Sequence, residues 1–156
     1  MTGTEDKRQR RMGSLLVASQ FGLILLLADQ AAPAFLDRSA PIGAWPLAAA
    51  GIALGAWALV ANRPGNFNIR PAPRPGGRLV GDGPYRWIRH PMYSSVLTCA
   101  CACAWAAASP WGWLFTLTLA AVLGFKATLE ERWMVSVHPD YKSYQARTHR
   151  FIPGIL

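Results

Sequence analysis

The sequence predicts an all-α fold, a polytopic membrane bundle of about four transmembrane helices followed by a cytoplasmic C-terminal helix. Of the 156 residues, 52% are hydrophobic and 15% are charged, whereas about a quarter are charged in an ordinary soluble domain. The apolar residues also come in blocks rather than with the periodicity of half-buried elements. Because a transmembrane helix needs about 20 mostly apolar residues, the length of each block predicts a span.

The first two spans are predicted at residues 12–35 and 42–61. The second run carries no charged residue, and the first is interrupted by a few polar residues and by Asp29 near its end. The first block also imitates a secretory signal, because basic residues precede it and the small residues of 32–34 could form a cleavage site. It is longer than the apolar region of a usual signal, which favours a retained span.

The uncharged block after Pro91 is too long for one span, and Ser109-Pro110 divides it into a helical hairpin. Pro110 suits the first position of the second helix, where its missing N–H costs nothing. The predicted organisation is a single membrane-embedded domain, 1–156, with hairpin spans at 92–108 and 110–128, a cytoplasmic loop at 62–91 and a C-terminal segment at 129–156.

The basic residues orient the predicted spans. Of the sixteen Lys and Arg residues, all but Arg38 lie before the first span, in the middle loop or from Lys126 onward. By the positive-inside rule, both termini and the middle loop face the cytoplasm, as in an integral protein of a bacterial inner membrane. The same pattern accounts for the net charge of +8, so membrane lipids rather than nucleic acid are the expected partners.

Small residues within the spans predict close helix packing. Cys99, Cys101 and Cys103 are odd in number, and only the first and third share a helical face, so they form neither a disulfide framework nor a plausible metal site. Gly51 and Gly55 have the spacing of a helix-packing face. No metal is predicted.

Three polar clusters lie on the predicted cytoplasmic side. They are "GPYRWIRHPMY" from Gly83, "FKATLEERWM" from Phe125 and "VHPDYKSYQARTHRFIPGI" from Val137. Each cluster taken singly has a purely structural interpretation. The first could be an interfacial anchor, the second a surface ion pair, and the third an amphipathic helix lying against the membrane. A carboxylate this close to the membrane, however, requires a cationic partner, for which a ligand ammonium is one candidate.

In their order and spacing, these clusters resemble the membrane-embedded methyltransferases typified by isoprenylcysteine carboxyl methyltransferase and, more distantly, phospholipid methyltransferases. The resemblance covers residues 77–153, and the first two spans match only in hydropathy. Lys126 departs from the pattern, since the prenylcysteine enzymes carry an Arg there, and Met134 replaces a leucine. The resemblance implies S-adenosylmethionine as the cofactor, and as its site Arg78, Leu79, Val80, Tyr85, His90, Pro91, Met92, Tyr93 and Glu130.

The chemistry of the cofactor agrees with this assignment. Its ammonium needs an acid, which Glu130 could supply. Its carboxylate could be received by the N-terminus of the third helix with Arg89 and His90. Its sulfonium and purine could lie against aromatic rings such as Tyr93.

The expected acceptor is an amphiphilic, lipid-like molecule that enters from the bilayer. O-methylation of a carboxylate is favoured, with Lys126 as the catalytic cation that places it, although Lys lacks the bidentate fork of Arg. An amine acceptor would instead need His90 or Glu131 as a general base.

Two other functions stay open. Membrane sterol reductases resemble this family in their C-terminal halves and would bind NADPH at this site. A non-enzymatic membrane scaffold would bind neither cofactor saturably.

Overall fold

In the computed structural model the chain is a bundle of helices. Residues 3–62 and 79–154 are described, with side chains from residue 11 onward. No strand occurs within these ranges, which confirms the predicted all-α class. The helices are α1 (Gly3–Leu36), α2 (Ala44–Asn62), α3 (Pro91–Ala107), α4 (Pro110–Val137) and α5 (Tyr141–Ala146), with a short 3₁₀ helix, Gly83–Arg86, before α3.

Three helices in the described part of the chain are long and apolar enough to cross a membrane: α1 from Arg11, α2 and α4. Helix α3 has 17 residues, about the shortest length that can span the hydrocarbon core. Together they confirm the predicted membrane helical bundle. Helix α4 continues past residue 128 to Val137 because no proline interrupts it before Pro139, which holds His138 in an extended conformation.

Helices α2 and α3 pack closely because glycine and small polar residues line their contact. A Cβ added to Gly51 would lie 2.5 Å from Sγ of Cys99, and one added to Gly55 would lie 2.6 Å from Oγ of Ser95. The Ser95 hydroxyl donates to the carbonyl oxygen of Gly51 at 2.7 Å. Small side chains therefore let the two backbones approach, as in other membrane helix pairs.

A tight hairpin joins α3 to α4. Ala108 ends α3 in the left-handed conformation, with φ 47°, and Ser109 caps α4 by accepting a hydrogen bond from the backbone N of Trp111 at 3.3 Å. Pro110 takes the first helical position, as the sequence predicts. Because the two helices run antiparallel, the start of α3 and the end of α4 lie at the same end of the bundle.

An apolar core joins α1, α3 and α4. Leu27, Ala100, Leu119 and Leu123 are buried together, while large apolar side chains such as Leu25 are exposed on the outer face. This is the arrangement expected where helices face lipid. Polar side chains gather where α3 begins, and the candidate site lies there.

Candidate functional site

The entry to α3 directs the imidazole of His90 into the bundle. Pro91 is the first residue of α3, where proline is favoured because an N–H would have no intrahelical partner. His90 is the N-cap residue, but its side chain makes no capping hydrogen bond. Its carbonyl oxygen instead accepts from the backbone N of Tyr93 and Ser94, at 3.0 and 3.1 Å. The imidazole is thus available to side chains of α4.

The segment before α3 is held against the end of α2. Gly83 has φ 57°, and a Cβ there would lie 2.8 Å from Cβ of Ala61, so both backbone conformation and space require glycine. The carbonyl oxygen of Tyr85 accepts a hydrogen bond from the hydroxyl of Tyr144 at 2.7 Å. These contacts hold Tyr85 between α2 and α5.

The C-terminal tail pairs with the same segment. Ile88 and His149 form a parallel bridge, the backbone N of Arg89 donates to O of His149 at 2.8 Å, and that of His90 donates to O of Arg150 at 3.1 Å. Helix α5, which precedes this pairing, has only six residues. Because of the backbone hydrogen bonds, the tail closes one side of the site.

The carboxylate of Glu131 is the centre of a buried ion-pair network. Its side chain is 6% exposed and accepts from Arg89 Nε at 2.9 Å and Arg150 Nη2 at 2.7 Å, and it lies 3.1 Å from His90 Nε2. The amide of Gln145 also donates to it at 3.2 Å. A carboxylate held by two guanidiniums and an imidazole is strongly stabilised in its ionised form and is a poor proton acceptor.

Glu130 is the more accessible of the two carboxylates. Its side chain is 21% exposed, and the hydroxyl of Tyr93 donates to Oε1 at 2.5 Å. Oε2 lies 3.5 Å from Nδ1 of His90, and the His90 ring stacks on that of Tyr93 with 5.4 Å between centroids. His90 therefore bridges the two adjacent carboxylates of α4.

The surroundings of His90 and Tyr85 set the charge of the site. Burial is the largest influence on the pKa of His90 and lowers it, but hydrogen bonds and charge from Glu130 and Glu131 together outweigh burial and raise the pKa. The pKa of Tyr85 is raised to about 12, first by burial and then by the charge of Glu130. The two glutamates thus stabilise the charged form of the imidazole, and the Tyr85 phenol keeps its proton at neutral pH.

Lys126 is more deeply buried than His90 or Glu131. It is 1% exposed, its Nζ donates to Oε1 of Gln20 on α1 at 2.6 Å, and it sits over the Tyr93 ring at 5.1 Å from the centroid. The ammonium is therefore enclosed by α1, α3 and α4 and does not face an open surface.

The structure brings most of the sequence-predicted residues to one end of the bundle. Arg78 lies outside the described residues. Arg89, considered above for the cofactor carboxylate, is directed at Glu131 and at the carbonyl oxygens of Gln145 and Thr148. The remaining predicted residues are Leu79, Val80, Tyr85, Met92, Tyr93 and Glu130, which are half-buried, and His90, Pro91, Lys126 and Glu131, which are buried.

Sequence reasoning missed Gln20 and Arg150 as members of this cluster. Gln20 had a signal, since an uncharged polar side chain within an apolar span commonly bonds to another helix. Arg150 had none, because the other basic residues of the tail look the same in sequence. Only the fold selects Arg150 to meet Glu131.

Comparison with models of known protein families matches residues 46–140 to the phospholipid methyltransferase family. The match covers more than half of the chain and includes α3, α4 and both carboxylates of the site. It begins after α1 and ends before the tail. A search of curated proteins finds no significant match.

Proposed function

The chain belongs to the phospholipid methyltransferase family, and we propose that it transfers a methyl group from S-adenosylmethionine to an amphiphilic, lipid-like acceptor in the bilayer. The observation that carries the proposal is the partly exposed carboxylate of Glu130, held by Tyr93 and His90 at the start of α3. We propose further that residues 1–156 act as one domain.

The residues around Glu130 fit the chemistry of this cofactor. Glu130 offers a carboxylate to the cofactor ammonium, and the rings of Tyr85 and Tyr93 offer faces to a sulfonium or a purine. Leu79 and Met92 are half-buried and add apolar surface. Arg89 is engaged with Glu131, which leaves the N-terminus of α3 as the candidate for the cofactor carboxylate.

When bound, S-adenosylmethionine would supply a methyl group that the acceptor attacks through a lone pair, while the methyl–sulfur bond breaks and sulfur leaves with its electron pair as a neutral thioether. The protein then contributes placement and exclusion of water rather than activation. The tail, packed against the segment before α3, closes one side of the site. An amphiphilic acceptor would enter from the side facing lipid.

The protonation states favour an acceptor that is already nucleophilic, such as a carboxylate. His90 carries a raised pKa and is bonded to both glutamates. Glu131 is held by two guanidiniums. Neither is therefore a suitable base for a protonated amine. A carboxylate is ionised at neutral pH and needs none.

For Lys126 we propose a less direct role than the placement of the acceptor carboxylate predicted from the sequence. Because it is enclosed beneath Tyr93, direct contact with an acceptor would require that ring or α1 to move. We propose that Lys126 acts by its positive charge and by supporting Tyr93. In the membrane we propose that the site and both termini face the cytoplasm, in keeping with the basic residues around them.

Cofactor binding to protein purified in detergent tests the proposal directly. S-adenosylmethionine should bind saturably in titration calorimetry, and Glu130→Gln should raise its Kd about tenfold or more, the range for a hydrogen bond to a charged group. Asp37→Asn removes an exposed carboxylate between α1 and α2 and is the matched control. Failure of the parent protein to bind the cofactor would overturn the proposed function.

The acceptor class needs a separate assay. The protein is given methyl-labelled cofactor and three amphiphiles with the same apolar tail and a carboxylate, amine or hydroxyl head. Label is expected on the carboxylate. Label on the amine alone would keep the methyltransferase but refute the carboxylate assignment.

A further inference from the structure

The side chain of Arg150 ties the tail that follows α5 to α4. Its Nη2 donates to Oε2 of Glu131 at 2.7 Å, and its Nε donates to Oε1 of the same carboxylate at 3.2 Å. Such a two-point pairing fixes the relative orientation of both groups. Nη1 also donates to the hydroxyl of Thr128 at 3.2 Å. Arg150 therefore holds the tail at two residues about one turn apart on α4.

The same carboxylate also holds the segment before α3. Oε1 of Glu131 accepts from Nε of Arg89 at 2.9 Å and lies 3.1 Å from Nε2 of His90. The other ring nitrogen of His90, Nδ1, lies 3.5 Å from Oε2 of Glu130. Because the imidazole is rigid, a shift of Glu131 would also shift the ring that faces Glu130.

Further contacts with the tail fix the position of His90. Its backbone N donates to O of Arg150 at 3.1 Å, and its ring centroid lies 5.9 Å from that of Phe151. The hydroxyl of Ser94, in the first turn of α3, donates to O of Phe151 at 2.7 Å. The observed position of His90 is therefore that of a chain whose tail is docked.

We propose that Arg150 is a positioning residue for cofactor binding: by holding Glu131 it fixes the His90 imidazole beside Glu130, so that docking of the tail completes the cofactor site. The inference rests on the proposed function, because it concerns the binding of S-adenosylmethionine at Glu130. By linkage, a ligand that binds better when the tail is docked also stabilises the docked tail.

The exposure of the two arginines shows which part of the network can open. The Arg150 side chain is 33% exposed, whereas that of Arg89 is 12% exposed. Arg150 can therefore leave Glu131 and become hydrated, while Arg89 remains with the buried carboxylate. Undocking of the tail thus does not leave Glu131 as an unpaired buried charge, which would be costly.

The Kd for S-adenosylmethionine, measured by titration calorimetry on full-length protein in detergent, tests the role of Arg150. At a temperature where all variants are folded, Arg150→Ala should raise the Kd about fivefold, because fewer molecules have a complete site. Arg147→Ala is the matched control, since Arg147 is an exposed arginine of the same tail whose guanidinium lies over the ring of Tyr144. It should bind the cofactor like the parent.

A double-mutant cycle tests whether Arg150 acts through Glu131. Glu131→Gln alone should also raise the Kd, and adding Arg150→Ala to it should change the Kd by less than about twofold. If Arg150 instead contacted the cofactor directly, the two effects would multiply.

Hydrogen–deuterium exchange tests the linkage on the parent protein and needs no variant to fold. The backbone N–H groups of Arg89, His90 and His149 donate hydrogen bonds between the tail and the segment before α3. S-adenosylmethionine at about ten times its Kd should slow the exchange of these amides about tenfold, because the cofactor must leave before the tail undocks.

Three results would overturn the inference: an unchanged Kd for folded Arg150→Ala, effects of Arg150→Ala and Glu131→Gln that multiply, or tail exchange that the bound cofactor does not slow. An unchanged Kd with a lower unfolding midpoint would leave Arg150 with a role in stability alone. These failures are distinct from that of the proposed function, in which the parent protein itself would not bind the cofactor.

Discussion

Replacing Glu131 by Gln should destabilise the protein far more than the same change at Glu130, although the two residues are adjacent. The Glu131 carboxylate is buried and faces the guanidiniums of Arg89 and Arg150 as well as the imidazole of His90. Removing its charge leaves these cations without their common counter-ion. It also weakens the attachment of the tail to the segment before α3.

The magnitude follows from burial. Removing one partner of a buried ion pair costs about 3–5 kcal/mol. The lower end applies here, because Gln keeps one carbonyl oxygen, the Arg150 side chain is 33% exposed and can rehydrate, and His90 can lose its proton. About 3 kcal/mol corresponds to a fall of roughly 6–12 °C in the unfolding midpoint of a domain of this size. Glu130→Gln should cost about 1 kcal/mol, since its amide can still accept from Tyr93.

Thermal unfolding in detergent, followed by near-UV circular dichroism, measures both variants under one condition. Cofactor titration at a temperature where both are folded separates the roles, since Glu130→Gln should lose affinity while remaining nearly as stable as the parent. Equal and small shifts in the two unfolding midpoints would refute the ion-pair reasoning. They would indicate instead that both glutamates lie on a solvated helix face.

Two further predictions follow from His90 and from the orientation of the chain. The folded-state pKa of His90 is raised, so the stabilisation by the charged imidazole is fully present below about pH 6.5 and is lost as pH rises through the folded-state pKa. The unfolding midpoint of the parent should therefore fall over that pH range, and that of His90→Gln should fall less. Equal slopes for the two proteins would contradict this prediction. In a background without the native cysteines, an impermeant thiol reagent added outside the membrane should label Ser39→Cys, between α1 and α2, and not Lys142→Cys on α5, both positions being exposed. Labelling at Lys142→Cys would reverse the proposed orientation.

Parts of the site could be predicted because they depend on local chemistry. Pro91 and Pro110 mark helix starts wherever they occur after a suitable cap, and the structure places both at the first helical position. The carboxylates near the membrane end were singled out because charge there needs a partner. The sequence predicted a membrane span at 110–128 from apolar length, whereas the helix that contains it, α4, continues to Val137, just before the next proline.

The roles of Glu130 and Glu131 could not be separated from the sequence. Consecutive residues on a helix point about 100° apart, so one of them faces Tyr93 while the other faces the tail. The rotation of α4 that decides this is set by packing against α1 and α3. The contacts of Gln20 and Arg150 could not be predicted from the sequence either, because their partners lie far away along the chain.

The sequence by itself determined the all-α membrane class of the protein, its helical hairpin and the segments that carry its polar clusters, because apolar block length, proline position and charge are properties of short segments. Tertiary structure alone decided that Glu131 secures the tail, that Glu130 remains partly exposed, and that Lys126 bonds to α1. These outcomes depend on how helices distant in sequence pack and rotate. In a membrane bundle a buried charge must be satisfied by whichever polar group that packing brings near.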